Sequence, residues 1–119
     1  MKKYNELQAS IFIDIDDTLT TDFGKTFFNN AIEKIKELSE KTNIILWSQQ
    51  GMSYCIEIMQ KTQLENYITM CIPKPDMIID DLNFNQFATT KIIKTKNDWD
   101  FKLELTGDWV DDIEIIREN

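Results

Sequence analysis

Short apolar runs alternate with helical patterns along the first part of the chain. The runs at residues 10–15, 43–47 and 68–72 are too short for helices, and they contain isoleucine, which favours buried strands. Between these runs, apolar residues recur at helical spacing from Phe27 onward and again from Gly51 onward. This alternation predicts an α/β fold, a parallel sheet with helices on both faces.

Later residues extend this pattern less regularly. Residues 77–79 and 91–94 predict two more short strands. From Trp99 to Leu105 apolar and charged residues alternate, which is typical of a half-buried strand. One continuation is a hairpin around residues 106–108. The other is a closing helix with one face formed by Trp109, Val110, Ile113 and Ile116.

The composition is that of a single compact domain. A chain of 119 residues with 42% hydrophobic content can form one core. We expect one domain over residues 1–119, with a core at about 10–95 and a tail at 98–119. No apolar run approaches the roughly twenty residues of a membrane span, and the first residues do not resemble a signal peptide. We therefore expect a cytoplasmic protein without a membrane partner.

The net charge and the few or missing histidine and cysteine residues exclude several kinds of partner and site. The net charge of −8 makes nucleic acids and anionic lipids unfavourable partners. The absence of histidine excludes histidine bases and His-ligated zinc. Cys55 and Cys71 form no CxxC pair and are too few for a disulfide scaffold, so we expect reduced, packed thiols. Acidic groups remain candidates for binding a divalent cation.

The first predicted strand ends in carboxylates, in the segment Asp14-Ile15-Asp16-Asp17-Thr18. Residues two apart on an extended strand point the same way, so Asp14 and Asp16 can converge on one substrate. Open α/β sheets bind ligands at this carboxyl end of their strands. The ordinary alternative is an acidic turn or a helix start, with Asp17 or Thr18 as the cap.

Polar residues also follow the next three predicted strands. Ser48 ends the second strand, Lys74 follows the third, and the pair Asp80 and Asp81 follows the strand at residues 77–79. Each has an ordinary interpretation: a cap, a solvated loop lysine and an acidic turn. Their order along the chain, each at the end of a strand, is the informative feature.

These positions, in this order, resemble the four motifs of the haloacid dehalogenase superfamily. The segment from Asp14 to Thr18 resembles its first motif, DxDx(T/V), although Asp17 occupies a place where glycine is commoner. The resemblance covers residues 11–81 and does not extend to the tail. It implies a three-layer, Rossmann-like fold.

The resemblance also implies the roles of the residues. Asp14 would be the nucleophile that attacks phosphorus and forms an aspartyl-phosphate. Asp16 would protonate the leaving oxygen and then activate the water. Ser48 would donate a hydrogen bond to a phosphoryl oxygen, and Lys74 would offset the charge of Asp14. Thr18 would order the loop that carries Asp14.

The implied cofactor is Mg²⁺. Its ligands would be Asp14, the main-chain carbonyl of Asp16, and Asp80, with Asp81 binding directly or through water. The implied function is a Mg²⁺-dependent phosphomonoester hydrolase, whose phosphorylated substrate the sequence does not identify.

Many members of the superfamily carry a cap domain, for which this chain has no room. The interval from Asp14 to Ser48 fits one turn and one helix, and the interval from Ser48 to Lys74 fits one helix and one strand. An open cleft is therefore expected. A large substrate or a second subunit of a homo-oligomer would cover it, because phosphoryl chemistry benefits from the exclusion of water.

Three other functions remain open. A response-regulator receiver domain has a similar acidic Mg²⁺ site, but its phosphoacceptor aspartate follows the third strand, where this chain has Lys74 and no aspartate before Asp76. A catalytically silent binding protein of the same fold would keep the residues without the turnover. A phosphotransferase would pass the phosphoryl group to an alcohol instead of water.

Overall fold

The computed structural model describes residues 1–81, 92–96, 98–105 and 113–117. Its two helices are α1 (Asn29–Leu38) and α2 (Met52–Lys61), and a short 3₁₀ turn spans Asp22–Gly24. Its strands are β1 (Ala9–Asp14), β2 (Thr20–Thr21), β3 (Thr26–Phe27), β4 (Thr42–Ser48), β5 (Met70–Pro73), β6 (Phe101–Leu105) and β7 (Ile113–Arg117).

A parallel sheet of three strands forms the centre of the fold, in the order β1-β4-β5. Ile13 of β1 pairs with Leu46 of β4, and Ser48 of β4 pairs with Pro73 of β5. The middle strand is the most buried, because it has a strand on each side and apolar residues at successive positions. The predicted parallel α/β sheet and its first three strands are confirmed.

Both helices pack on one face of this sheet. Ile13 and Leu46 point to that face and share a buried cluster with Ala31 and Ile35 of α1 and Ile58 of α2. Two right-handed crossovers that run in the same direction along a sheet place their helices on the same side. A helical layer on the opposite face, as the sequence predicted, is not among the described elements.

The opposite face of the sheet is partly open to solvent among the described residues. Phe12 is 48% exposed and Met70 is 43% exposed, while Ile45 between them is buried. Phe12 contacts Trp47 edge to face, with 5.0 Å between the ring centroids. This face is therefore apolar but only partly covered by the described residues.

A small antiparallel hairpin, β2–β3, follows the loop after β1. The sequence predicted only a turn here. Three consecutive residues at its tip, Asp22, Phe23 and Gly24, have φ of 52°, 55° and 86°, in the left-handed region. A Cβ atom on Gly24 would lie 2.6 Å from Cδ1 of the buried Ile58, so a larger residue fits there only if Ile58 moves.

Two predicted strands do not form. Residues 77–79 are exposed and have no regular secondary structure, and neither do residues 92–95, while Lys91 lies outside the described residues. A short apolar run becomes a strand only where a neighbouring strand supplies hydrogen bonds. The predictions of a fourth and a fifth strand at these residues were wrong.

The tail contains a pair of antiparallel strands. Leu103 of β6 pairs with Ile115 of β7 and Leu105 with Ile113, which confirms the antiparallel pairing of a hairpin but leaves residues 106–112, and not 106–108 alone, between the two strands. The alternative closing helix was wrong for residues 113–117, where β-branched isoleucines favour a strand. The predicted turn at residues 106–108, with Trp109 and Val110, lies outside the described residues.

Neither interval between the strands of the central sheet contains a further domain. Residues 1–81 are described without a gap; β2, β3 and α1 lie between β1 and β4, and only α2 lies between β4 and β5. Among the described residues, no helix is both long enough and apolar enough to cross a membrane.

Candidate active site

The carboxyl ends of three parallel strands bring the candidate residues to one edge of the sheet. Asp14 is the last residue of β1, Ser48 is the last residue of β4, and Lys74 follows the last residue of β5. Parallel strands end at the same edge, so side chains from distant parts of the sequence meet there.

Lys74 forms an ion pair with Asp14. The Nζ atom of Lys74 lies 3.1 Å from Oδ1 of Asp14, with side-chain exposures of 29% and 35%. The same ammonium group lies 5.6 Å from the ring centroid of Trp47, within cation–π range. Because both partners are partly removed from water, their attraction is less screened than in a fully exposed pair.

Hydrogen bonds order the loop after β1. The main-chain amides of Thr18, Leu19 and Thr20 all donate to the carbonyl oxygen of Ile15, at 3.1, 2.8 and 3.0 Å. The Thr18 hydroxyl donates to Oδ2 of Asp14 over 3.3 Å. Together with Lys74, this contact gives each oxygen of the Asp14 carboxylate a partner.

The tail supports the same loop. The indole N–H of Trp99, a buried side chain, donates to the carbonyl oxygen of Thr18 over 2.9 Å. Trp99 packs beside Phe101, the first residue of β6. The tail is therefore connected through Thr18 to Asp14.

Asp16 contacts the first turn of α2. The hydroxyl of Tyr54 donates to Oδ1 of Asp16 over 2.5 Å, a length found for hydrogen bonds to charged oxygens. Burial, and then the hydrogen bond and charge of Asp16, raise the pKa of Tyr54 to about 12. The phenol therefore stays a hydrogen-bond donor at neutral pH.

Cys55 is buried on the same helix, and the charges of both carboxylates affect its thiol. Burial raises the pKa of the Cys55 thiol, and the charges of Asp14 and then Asp16 raise it further. Cys55 and Cys71 are free and buried, as the sequence predicted.

Ser48 is almost completely buried, with 2% exposure. Its Oγ atom accepts a hydrogen bond from the amide of Gln50 over 3.0 Å, and its carbonyl accepts one from the amide of Lys74 over 2.9 Å. The second of these contacts links the ends of β4 and β5, and the first is local to the turn after β4. In the first of them Oγ is the acceptor.

The acidic pair predicted as metal ligands lies in the segment after β5. Asp80 and Asp81 are exposed, in a segment without regular secondary structure. No three His, Cys, Asp or Glu side chains in the described parts of the chain are grouped closely enough to hold a metal ion. Asp80 and Asp81 thus do not form such a group with Asp14 and Asp16.

Two residues with contacts at the site had no such role in the sequence interpretation. Tyr54 belongs to none of the segments singled out in the sequence, and Trp99 appeared only as part of an alternating strand pattern. A signal for Tyr54 exists, since the first turn of a helix after a β-strand lies at the carboxyl edge of the sheet. For Trp99, which is remote in sequence from Thr18, we find no sequence signal.

Comparison of the sequence with models of known protein families gave no match, and comparison with curated proteins gave none either.

Proposed function

We propose that this chain is a Mg²⁺-dependent phosphomonoester hydrolase of the haloacid dehalogenase type, with Asp14 as its nucleophile. The observation that carries the proposal is the 3.1 Å contact between Lys74 and Asp14 at the carboxyl edge of the sheet. A carboxylate repels the anionic phosphoryl group that it has to attack. An adjacent ammonium group lowers that repulsion and offsets the charge of the phosphorylated aspartate.

In the proposed first step, an oxygen of Asp14 bonds to phosphorus while the bond to the leaving oxygen breaks, and Asp16 gives its proton to that oxygen. In the second step Asp16 takes a proton from water, whose oxygen bonds to phosphorus and releases Asp14. The Ser48 hydroxyl would donate to a phosphoryl oxygen.

Mg²⁺ is part of the proposal because the donor set consists of hard oxygen atoms. The Asp14 carboxylate and the Asp16 carbonyl would hold the ion from the loop after β1, and Asp80 and Asp81 from the segment after β5. In the described arrangement these acids do not form a group of three, so we assign no step to the ion. When bound, it would neutralise phosphoryl charge.

The proposal includes a three-layer, Rossmann-like fold for the whole chain. The parallel order β1-β4-β5 and the two helices on one face support it. The apolar opposite face, with Phe12 and Met70 partly exposed, is the face that a second helical layer would cover.

The substrate in this proposal reaches an open site. Since neither interval between the central strands contains a cap, a large phosphorylated substrate or a second copy of the chain would exclude water from the site.

Hydrolysis of 4-nitrophenyl phosphate, with Mg²⁺ and with excess chelator, tests the proposal. We expect turnover that needs Mg²⁺ and is abolished by Asp14→Asn, because an amide oxygen is a poor nucleophile. Asp17→Asn is the matched control: it makes the same chemical change in the same loop, at an exposed residue whose φ of 63° asparagine tolerates. Activity that survives in Asp14→Asn, or persists fully in chelator, would overturn the proposal.

The same wild-type and variant proteins distinguish hydrolysis from the three other functions. A receiver-like module would accumulate a stable phosphoryl group on an aspartate without multiple turnovers. A silent binding protein would bind beryllium fluoride, which mimics that group, without hydrolysis. A phosphotransferase would convert an added alcohol into its phosphate ester.

A further inference from the structure

Tyr54 contacts the one acid of the proposed reaction that moves protons. It lies in the first turn of α2, and its hydroxyl donates to Oδ1 of Asp16 over 2.5 Å. No hydrogen bond to Oδ2 of Asp16 occurs among the described residues. One oxygen of the carboxylate is thus held, and the other accepts no hydrogen bond from the part of the chain that the structure describes.

The Tyr54 ring is itself held from two sides. Its ring packs against the main core cluster, and Gly24 of the 3₁₀ turn lies beside its hydroxyl, so close that a Cβ atom on Gly24 would be 3.1 Å from the phenol oxygen. This close approach limits the phenol to a narrow range of positions. A side chain so confined can fix the position of the carboxylate that it contacts.

We propose that Tyr54 is a positioning residue that holds Oδ1 of Asp16, so that Oδ2 can exchange a proton with the leaving oxygen and then with water. This inference rests on the proposed function. Tyr54 keeps its own proton throughout both steps. The proton that reaches the leaving oxygen comes from Asp16, and the proton that Asp16 regains comes from the attacking water.

Tyr54→Phe, which removes only the hydroxyl, tests this role with two substrates that differ in leaving group. An alkyl phosphate needs a proton on its leaving oxygen, whereas 4-nitrophenyl phosphate leaves without one. We expect kcat/KM to fall about 10-fold or more for the alkyl phosphate, within the roughly 10²–10⁴-fold contribution of a general acid. For 4-nitrophenyl phosphate, kcat/KM should change less than about twofold, because its first step needs little help from Asp16.

The second step gives an independent readout. If water activation by Asp16 is slowed, Tyr54→Phe should release nitrophenol in a burst of about one equivalent per site, followed by slow turnover. In an Asp16→Asn background, Tyr54→Phe should have almost no additional effect on the alkyl phosphate, because the two side chains act as one unit.

Tyr67→Phe is the matched control. It removes a hydroxyl from a half-buried tyrosine near Lys36, away from Asp16. We expect its kcat/KM for both substrates to equal that of the wild type. If kcat/KM of Tyr54→Phe falls equally for both substrates, or falls for neither, the positioning role is overturned while the proposed function stays intact. A wild-type chain that hydrolyses neither substrate would overturn the proposed function instead. If Tyr54→Phe is not folded by circular dichroism at the assay temperature, both kinetic comparisons are made at a lower temperature where it is folded.

Discussion

The indole N–H of Trp99 donates to the main-chain carbonyl of Thr18 over 2.9 Å. Thr18 in turn donates its hydroxyl to Oδ2 of Asp14 over 3.3 Å. The tail is thereby linked to the candidate nucleophile through a single intermediate residue. A segment outside the resembling motifs thus supports the geometry of the site.

Replacing Trp99 by phenylalanine should lower both stability and activity. The change leaves the partly buried Thr18 carbonyl without its donor, at a cost of about 0.5–1.5 kcal/mol in the free energy of unfolding. Because the loop that holds Asp14 is loosened, kcat/KM should fall as well. Urea unfolding and phosphatase assays measure the two effects.

Phe101→Leu is the control for Trp99→Phe. It also reduces a buried aromatic side chain of the tail, but it removes no hydrogen bond to the loop. It should lower stability and leave kcat/KM nearly unchanged well below the melting temperature. An equal loss of kcat/KM in the two variants would contradict a specific role for the Trp99 hydrogen bond.

Lys74→Met should reduce activity far more than stability. The ion pair with Asp14 is partly exposed, so its loss should change the free energy of unfolding by no more than about 1 kcal/mol. The turnover rate kcat should fall about 10²–10³-fold, which is typical when one donor that stabilises negative charge in the transition state is removed.

The matched control is Lys61→Met, which breaks the surface ion pair of Lys61 with Glu57 on α2, at 2.9 Å. It should alter neither rate nor stability appreciably. If Lys74→Met retains wild-type kcat/KM, the ion pair with Asp14 has no catalytic role.

Gly24→Ala should be more destabilising than Gly51→Ala. Both glycines have positive φ, 86° and 97°, so alanine is strained at either place. Only at Gly24 would the added Cβ also overlap Ile58, at 2.6 Å, whereas nothing lies within 4 Å at Gly51. We expect Gly24→Ala to lose about 1–3 kcal/mol more stability, the usual range for overpacking. Equal melting temperatures for the two variants would contradict the close packing at Gly24.

Asp80→Asn should weaken Mg²⁺ binding at least about 10-fold, since even outer partners of a metal site typically contribute that much. Calorimetric titration with Mg²⁺ measures the affinity. Asp76→Asn, an identical change at an exposed aspartate in the same segment, should leave it unaltered. Unchanged Mg²⁺ affinity in Asp80→Asn would remove that residue from the proposed metal site.

Stability should fall in alkaline solution because of Cys71. Burial raises the pKa of the Cys71 thiol from its ordinary value of 9.0 to about 11. The unfolded chain therefore loses this proton at lower pH than the folded chain, so the contribution is complete below pH 9 and lost as the pH rises to about 11. Melting temperatures from pH 7 to 11 should fall less steeply for Cys71→Ala than for the wild type. Parallel curves would contradict the raised pKa.

Local patterns in the sequence were sufficient to predict the main strands and helices. Periodicity predicted β1, β4, β5 and both helices, because strand and helix repeats are properties of a few consecutive residues. It also predicted that Asp14 and Ser48 end strands and that Lys74 follows one. The strand predicted at residues 77–79 failed because an apolar run carries no information about whether a neighbouring strand pairs with it.

Only the tertiary structure decided which of these residues touch. The contacts of Lys74 with Asp14, Tyr54 with Asp16 and Trp99 with Thr18 each join residues that are far apart in the sequence. Such contacts depend on strand order, register and side-chain direction, which are set by packing of the whole core and leave no local periodic signal. The sequence thus determined the three strands of the central sheet and the residue types at their ends, and the packing of the core determined how those side chains meet.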